Sequence, residues 1–282
     1  MDERRLPFLA HLAELRLRLR NAIAALLVGC IVSFWASKTL YALLARPLNV
    51  AWREILPGQT ANLRFGSLIE PFWVYFELSI YAGLFLASPV IFHQLWKFIA
   101  PGLYDKEKKI ALPFAAFSGL MFIGGGLFCY FFVFPAMFRF FLGYSTANIG
   151  ELEGAFSFLG GGSVTSGVMA VEPSLFMQQY LDLTTKMLLG FGLIFELPLL
   201  IFFLSYAGLV THRKLWKFNK YWIILSFIIG GVLTPGPDVL SQFMMATPLV
   251  VLYEISILIS FIVTRRKERD AAINESPSAP SA

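Results

Sequence analysis

The sequence predicts an all-α polytopic membrane protein. Six transmembrane helices, bent at prolines, form a concave bundle with the N- and C-termini cytoplasmic. Three observations lead there. Hydrophobic residues fill 57% of the 282 positions and charged residues only 15%, where a soluble domain carries about 25% charged. The apolar residues come in runs of membrane-spanning length. Lys and Arg are concentrated in alternate connections between those runs. A mean hydropathy of +0.68 excludes a water-soluble globular domain, a disordered chain and a coiled coil.

Each element follows in order. Within 1–20, Phe8, Leu12, Leu15 and Leu19 recur at helical spacing, which predicts an amphipathic helix lying on the cytoplasmic surface and leading into the first span. A bilayer core needs roughly 20 mostly apolar residues per helix. Six segments of 21–264 meet or approach that: 21–37, 71–98, 110–140, 180–208, 219–234 and 238–263. The fifth is short, a mismatch that local thinning of the bilayer can absorb. The exoplasmic loop 38–70 holds a short apolar helix, 39–45, stopped by Pro47. The second exoplasmic loop, 143–178, is glycine-rich around Gly160, Gly161 and Gly162 and acidic through Glu151, Glu153 and Glu172. The polar stretch 265–282 reads as a disordered cytoplasmic tail. Pro89, Pro113, Pro135, Pro198 and Pro248 lie within or at the edges of spans, so bent helices side by side make a concave wall.

Orientation follows from the cations. The N-terminal segment, the second-to-third connection, the fourth-to-fifth connection and the tail together carry 17 Lys and Arg, against four (Lys38, Arg46, Arg53 and Arg64) in the exoplasmic loop. Both termini are therefore expected in the cytoplasm. Arg4 and Arg5 precede an apolar run, but with no convincing small-residue cleavage site the first span is expected to be an uncleaved anchor.

Catalytic signatures are missing: no phosphate-binding Gly-rich loop, no His-Glu-x-x-His pair, no Gly-x-Ser-x-Gly elbow. His11, His93 and His212 fall near cytoplasmic helix ends, and Cys30 and Cys129 sit in apolar runs. No enzyme, cofactor, metal site or nucleic-acid partner is expected. Carboxylates in awkward places remain. A charge at the bilayer centre costs at least about 2.5–3.5 kcal/mol on insertion scales. Glu196 and Glu254 both lie inside spans. For Glu196 the residues leave two readings open, a carboxyl bonded to a neighbouring helix or a docking point for a partner or cargo. Asp182 and Lys186 are spaced for a local pair, and Glu70 and Glu77 stand where they can reach the interface. By composition alone, Glu14 and Glu107 form local ion pairs on a solvated face.

A resemblance changes the weight of these residues. His11-Leu12-Ala13-Glu14-Leu15-Arg16-Leu17-Arg18-Leu19 resembles the N-terminal signature of TatC, the polytopic core of the twin-arginine protein translocase. Phe98-Ile99-Ala100-Pro101-Gly102-Leu103-Tyr104 with Glu107 resembles the family's first cytoplasmic loop. Phe191-Gly192-Leu193-Ile194-Phe195-Glu196-Leu197-Pro198 resembles its fourth span, and Thr234-Pro235-Gly236-Pro237-Asp238-Val239 with Ser241-Gln242 its last exoplasmic turn. The turn departs from the commoner Thr-Pro-Pro-Asp.

The resemblance implies a signal-peptide receptor in the bacterial cytoplasmic membrane, working on folded cargo and driven by the proton-motive force. It implies that Glu14 and Glu107 receive the paired arginines of the signal peptide, with Arg16 and Arg18 among the cations that balance those carboxylates. Glu196, Gln242 and Phe72 match positions tied to function or partner docking, and Asp238, Pro47 and Glu254 are secondary candidates. The implied partners are single-span TatA and TatB subunits, twin-arginine signal peptides, membrane lipid and further copies of the chain. A competing expectation is a proton-coupled small-solute transporter using Glu196 and Glu254 as relays, which predicts solute counterflow by this chain alone.

Overall fold

The computed structural model describes residues 5–57, 61–99, 105–143, 174–234 and 239–275. Nearly all of these residues are helical. Helix α1 (Arg5–Trp35) runs unbroken for 31 residues, so the amphipathic stretch and the first expected span are one helix. Leu, Ala and Arg, all strong helix formers, fill most of 8–28, and Pro7 falls in the first turn, where no intrahelical N–H bond is lost.

Helix α2 (Ser37–Ile55) corrects an expectation, because it passes through Pro47 instead of stopping there. A proline inside a helix leaves the carbonyl four residues back without its N–H partner. Here that carbonyl belongs to Leu43, and the Tyr130 hydroxyl donates to it at 2.8 Å. The next carbonyl, of Leu44, accepts from the Tyr180 hydroxyl at 2.6 Å. Two long-range bonds thus fasten α2 to the helices beneath it.

Strands β1 (Leu63–Arg64) and β2 (Leu175–Phe176) pair in parallel, with Leu63 opposite Leu175. Helix α3 (Glu70–Ile99) follows β1, and its first residue ties this end together. Glu70 accepts from the backbone N–H of Gly66 at 2.6 Å and of Gln178 at 3.1 Å. Gln178 then donates through its side chain to Glu77 at 2.8 Å and Asp182 at 3.0 Å. Asp182 therefore engages Gln178, where the spacing suggested Lys186.

Helix α4 (Asp105–Phe128) passes through a π-helical turn, Cys129–Val133, into α5 (134–143). The Phe134 N–H bonds to the carbonyl of Cys129, five residues back, just ahead of Pro135. Helices α6 (Met177–Phe195) and α7 (Leu197–Tyr206) are separated by a break at Glu196, with Pro198 in the first turn of α7. Helix α8 (His212–Leu233) precedes α9 (Val239–Glu275), which contains Pro248. α9 continues to Glu275, through much of the tail expected to be disordered. Arg, Lys, Glu and Ala favour helix there, and 276–282 lie outside the described residues.

Among the described residues five stretches are long and apolar enough to cross a membrane: Leu12–Trp35, Glu70–Phe98, Phe114–Gly143, Met177–Tyr206 and Gln242–Arg266. The chain is thus a multi-pass membrane protein. The fifth expected span, 219–234, falls in α8, which opens with Arg213, Lys214, Lys217 and Lys220. Its uncharged part, from Tyr221 to Leu233, is about 20 Å long at about 1.5 Å per residue. That is short of the roughly 30 Å hydrocarbon core, so a count of six turns on α8.

Neighbouring helices form a row: α1 packs on α3, α3 on α4, α4 on α6, α7 on α9 and α9 on α8. The largest core cluster joins α2, α3, α5 and α6, with Val74, Phe134, Leu181 and Phe191 fully buried. Along α1, Leu27, Val28, Ile31 and Val32 remain exposed, as expected of a helix facing lipid.

Candidate functional site

Two close contacts fix the registers that place the acidic residues. A Cβ on Gly83 would lie 2.6 Å from the backbone nitrogen of Cys30, so α1 and α3 touch backbone to backbone there. Counting back from Cys30 along α1, and forward from Gly83 along the antiparallel α3, brings Glu14 to the last residues of α3. A Cβ on Gly119 would lie 2.6 Å from the Cα of Pro89, which fixes α4 against α3 in the same way. The count from that contact brings Glu107, the third residue of α4, to the same end of α3. Topology alone thus gathers the start of α1, the end of α3 and the start of α4.

At this end Glu14 is half-buried and accepts from Arg18 Nη2 at 2.9 Å. Such an i,i+4 pair is worth under about 1 kcal/mol, so an incoming guanidinium can displace it. The Nε of Arg18 is buried without a partner, and Arg16 is exposed on the same helix. The Glu107 side chain lies outside the described residues.

Glu196 sits deep within the fourth expected span, ten residues or about 15 Å from its Tyr206 end. Its Oε1 is buried with no hydrogen-bond partner. Ser118 and the backbone at Phe122, both on α4, lie against its carboxyl group. Ser118 also accepts from the indole Nε1 of Trp96 at 2.8 Å. A Trp–Ser–Glu chain thus crosses from α3 through α4 to the helix break. It is flanked by the rings of Phe114 and Phe203, which pack on Trp96.

The other expected residues are dispersed. Gln242 lies over the glycines of α8: a Cβ on Gly231 would meet its Nε2 at 2.7 Å. Glu254 accepts from the amide of Asn219 on α8, so the two intramembrane carboxylates have separate partners. Phe72 is 59% exposed and, with Trp73 and Ile69, forms an apolar patch at the α2 end. Pro47 is buried and organises the Leu43 carbonyl described above. Asp238 lies outside the described residues. Among the described residues no group of three or more His, Cys, Asp or Glu is placed to hold a metal ion.

Sequence reasoning missed three participants. Ser118 carries no motif, and only its register against Glu196 reveals it. Tyr130 had a signal, since Pro47 follows Leu43 by four residues and leaves a carbonyl seeking a donor. Arg139 was not counted among the cations; it grips Glu54 with two bonds, at 2.7 and 3.0 Å. That pair holds the Glu54 carboxyl below its ordinary range, through the hydrogen bonds first and the guanidinium charge second.

Comparison with known proteins sets this geometry in context. A family model described as Sec-independent protein translocase protein (TatC) matches residues 10–248. A protein of that name from Desulforapulum autotrophicum is 38% identical over 269 residues, covering 95% of this chain and 89% of its own. One from Magnetococcus marinus is 38% identical over 273 residues, covering 97% and 90%. A solved structure, "Crystal Structure of Twin Arginine Translocase Receptor- TatC", superposes with a TM-score of 0.68 at 35% identity, over 90% of this chain and 100% of that one. A second, of the same receptor in DDM, gives 0.71 at 34% identity, over 89% and 99%.

Proposed function

The chain belongs to the TatC family, and from that premise, which makes it a core component of the Sec-independent protein translocase and not an enzyme, we propose that it is the receptor for twin-arginine signal peptides. The observation that carries the reading is the gathering of Glu14 and Glu107 at one end of α3 by the helix registers. Guanidinium is planar with five donors, so a carboxylate can hold it through two parallel bonds, whereas ammonium offers a point charge. Two carboxylates facing two arginines therefore select Arg-Arg over Lys-Lys by geometry. Arg16 and Arg18 keep the site from attracting any basic segment. The solved relative described as a twin-arginine translocase receptor supports this reading.

In the same reading the receptor end, both termini and the 17 clustered cations face the cytoplasm of a bacterial inner membrane, as the distribution of Lys and Arg favours. The domain order is the one the sequence suggests: an N-terminal segment, a helical membrane domain with α8 as its short fifth span, and a cytoplasmic tail. Single-span TatA and TatB subunits dock along the row of helices, at Glu196 and at the Gln242 contact between α8 and α9, while Phe72 offers an apolar contact on the opposite side. Further copies of the chain complete the receptor complex, and the proton-motive force drives transport. Pro47 serves by anchoring α2, Glu254 by holding α8 through Asn219, and Asp238 by its place in the turn between α8 and α9. Cross-linking a twin-arginine peptide to the purified protein tests the core of this. Glu14→Ala and Glu107→Ala are expected to lower capture, Glu14→Lys to abolish it, and a Lys-Lys peptide to be captured poorly. Equal capture of Arg-Arg and Lys-Lys peptides would overturn the reading.

A further inference from the structure

Beneath α2 lies an apolar cavity of about 600 Å³, open on one side and bounded by α1, α3 and α4. Leu40 and Leu43 of α2 form its roof, Leu86 and Leu127 its walls, and Tyr130 and Phe131 of the π-helical turn its far side. Its volume falls within the range of small-molecule sites, about 300–1,000 Å³. Since the surrounding helices are of membrane-spanning length and apolarity, the medium at its mouth is hydrocarbon.

The roof carries a charge pattern. Continuing from Leu43, the outer stripe of α2 reads Leu43, Arg46, Val50, Arg53, all exposed, with Lys38 one flank away. Apolar and cationic residues thus alternate along the edge of the cavity, the pattern of a helix resting at the headgroup level. The one carboxylate of α2, Glu54, is taken by Arg139. Arg46, Arg53 and Lys38 have no ion-pair partner among the described residues. Arg46 follows Leu43 by one helical turn and lies within electrostatic reach of Tyr130, which places its guanidinium at the cavity mouth.

We propose that this cavity is a specific site for an anionic phospholipid, with an acyl chain lodged under α2 and the headgroup phosphate held by Arg46 and Arg53. Alternatives are outcomes of the test. A zwitterionic lipid would fill the cavity without using the cations. The apolar segment of a signal peptide would leave the headgroup level empty. The inference needs only membrane embedding, and stands or falls separately from signal-peptide capture by Glu14 and Glu107.

The test uses the full chain in nanodiscs of phosphatidylglycerol and phosphatidylcholine in equal parts, released and counted by native mass spectrometry. The retained lipid is expected to be enriched in phosphatidylglycerol roughly ten-fold over the input, as two cations at an anionic surface would give. Arg46→Gln with Arg53→Gln should remove the enrichment while leaving elution and melting unchanged. Ala36→Trp, which narrows the cavity without altering a charge, should displace the bound lipid and also serves if the double variant fails to fold. Retention at the input ratio by the unaltered protein, or enrichment that survives either variant, overturns the proposal. So does a photo-reactive residue at Leu43 that labels an added signal peptide in place of lipid.

Discussion

The hydroxyl of Tyr130 donates to the carbonyl of Leu43, the acceptor that Pro47 leaves without its helical partner. One residue thus makes a gap in α2, and another, on the π-helical turn 87 positions away, closes it. Removal of either should be felt by the other, since an unmade bond at a partly buried carbonyl costs more than the bond gains.

Tyr130→Phe is expected to destabilise the protein by about 1 kcal/mol, and Tyr180→Phe similarly through the Leu44 carbonyl. Pro47→Ala restores an N–H that competes for Leu43. The loss from Tyr130→Phe should therefore shrink in the Pro47→Ala background. Thermal melts of the two single variants and the double variant measure this coupling; simple additivity would refute it.

At the α1–α3 crossing, Gly83→Leu should force the backbones apart, because the added Cβ meets the nitrogen of Cys30 at 2.6 Å. A cost of about 1–3 kcal/mol is expected for such overpacking. Peptide capture should fall as well, although Glu14 and Glu107 are untouched. Normal capture by Gly83→Leu would show that the receptor end does not depend on this register.

For Glu54 the sign of the pH effect is fixed. Its carboxyl titrates below the ordinary value of 4.5 because Arg139 binds the charged form. The stabilisation is fully present above the unfolded value and is lost as pH falls through the lower, folded one. Arg139→Ala should return the Glu54 titration to the ordinary range, read by carbon NMR of the carboxyl group. The melting temperatures of the two proteins should converge at the acid end.

Glu196 presents a trade-off between stability and work. Its Oε1 is buried without a partner, so Glu196→Leu should stabilise the isolated chain, by about 1–3 kcal/mol if the full desolvation penalty is relieved. Export in reconstituted membranes should nonetheless be lost. A destabilised Glu196→Leu variant would mean that the carboxyl group serves the fold.

The membrane class, most spans and the acidic positions were legible because hydropathy and charge are local properties. What stayed hidden depends on registers between distant helices. Glu196 was visible as a carboxylate in an apolar run, but Ser118 and Trp96 became its neighbours only once α3, α4 and α6 packed. Pro47 reads as a stop in a linear sequence; Tyr130, which lets the helix continue, lies on another element. The fifth span was uncertain for a related reason, since α8 spends its first turns on charge and keeps too little apolar length to announce itself.

The ladder of Leu63 on Leu175 and the grip of Glu70 on Gln178 join segments that flank 144–173 in the chain. A backbone severed inside that interval would therefore yield two pieces that already hold one another. Their co-production as separate polypeptides should reconstitute the complete receptor, making this stretch the natural place to divide the protein or to graft a reporter into it.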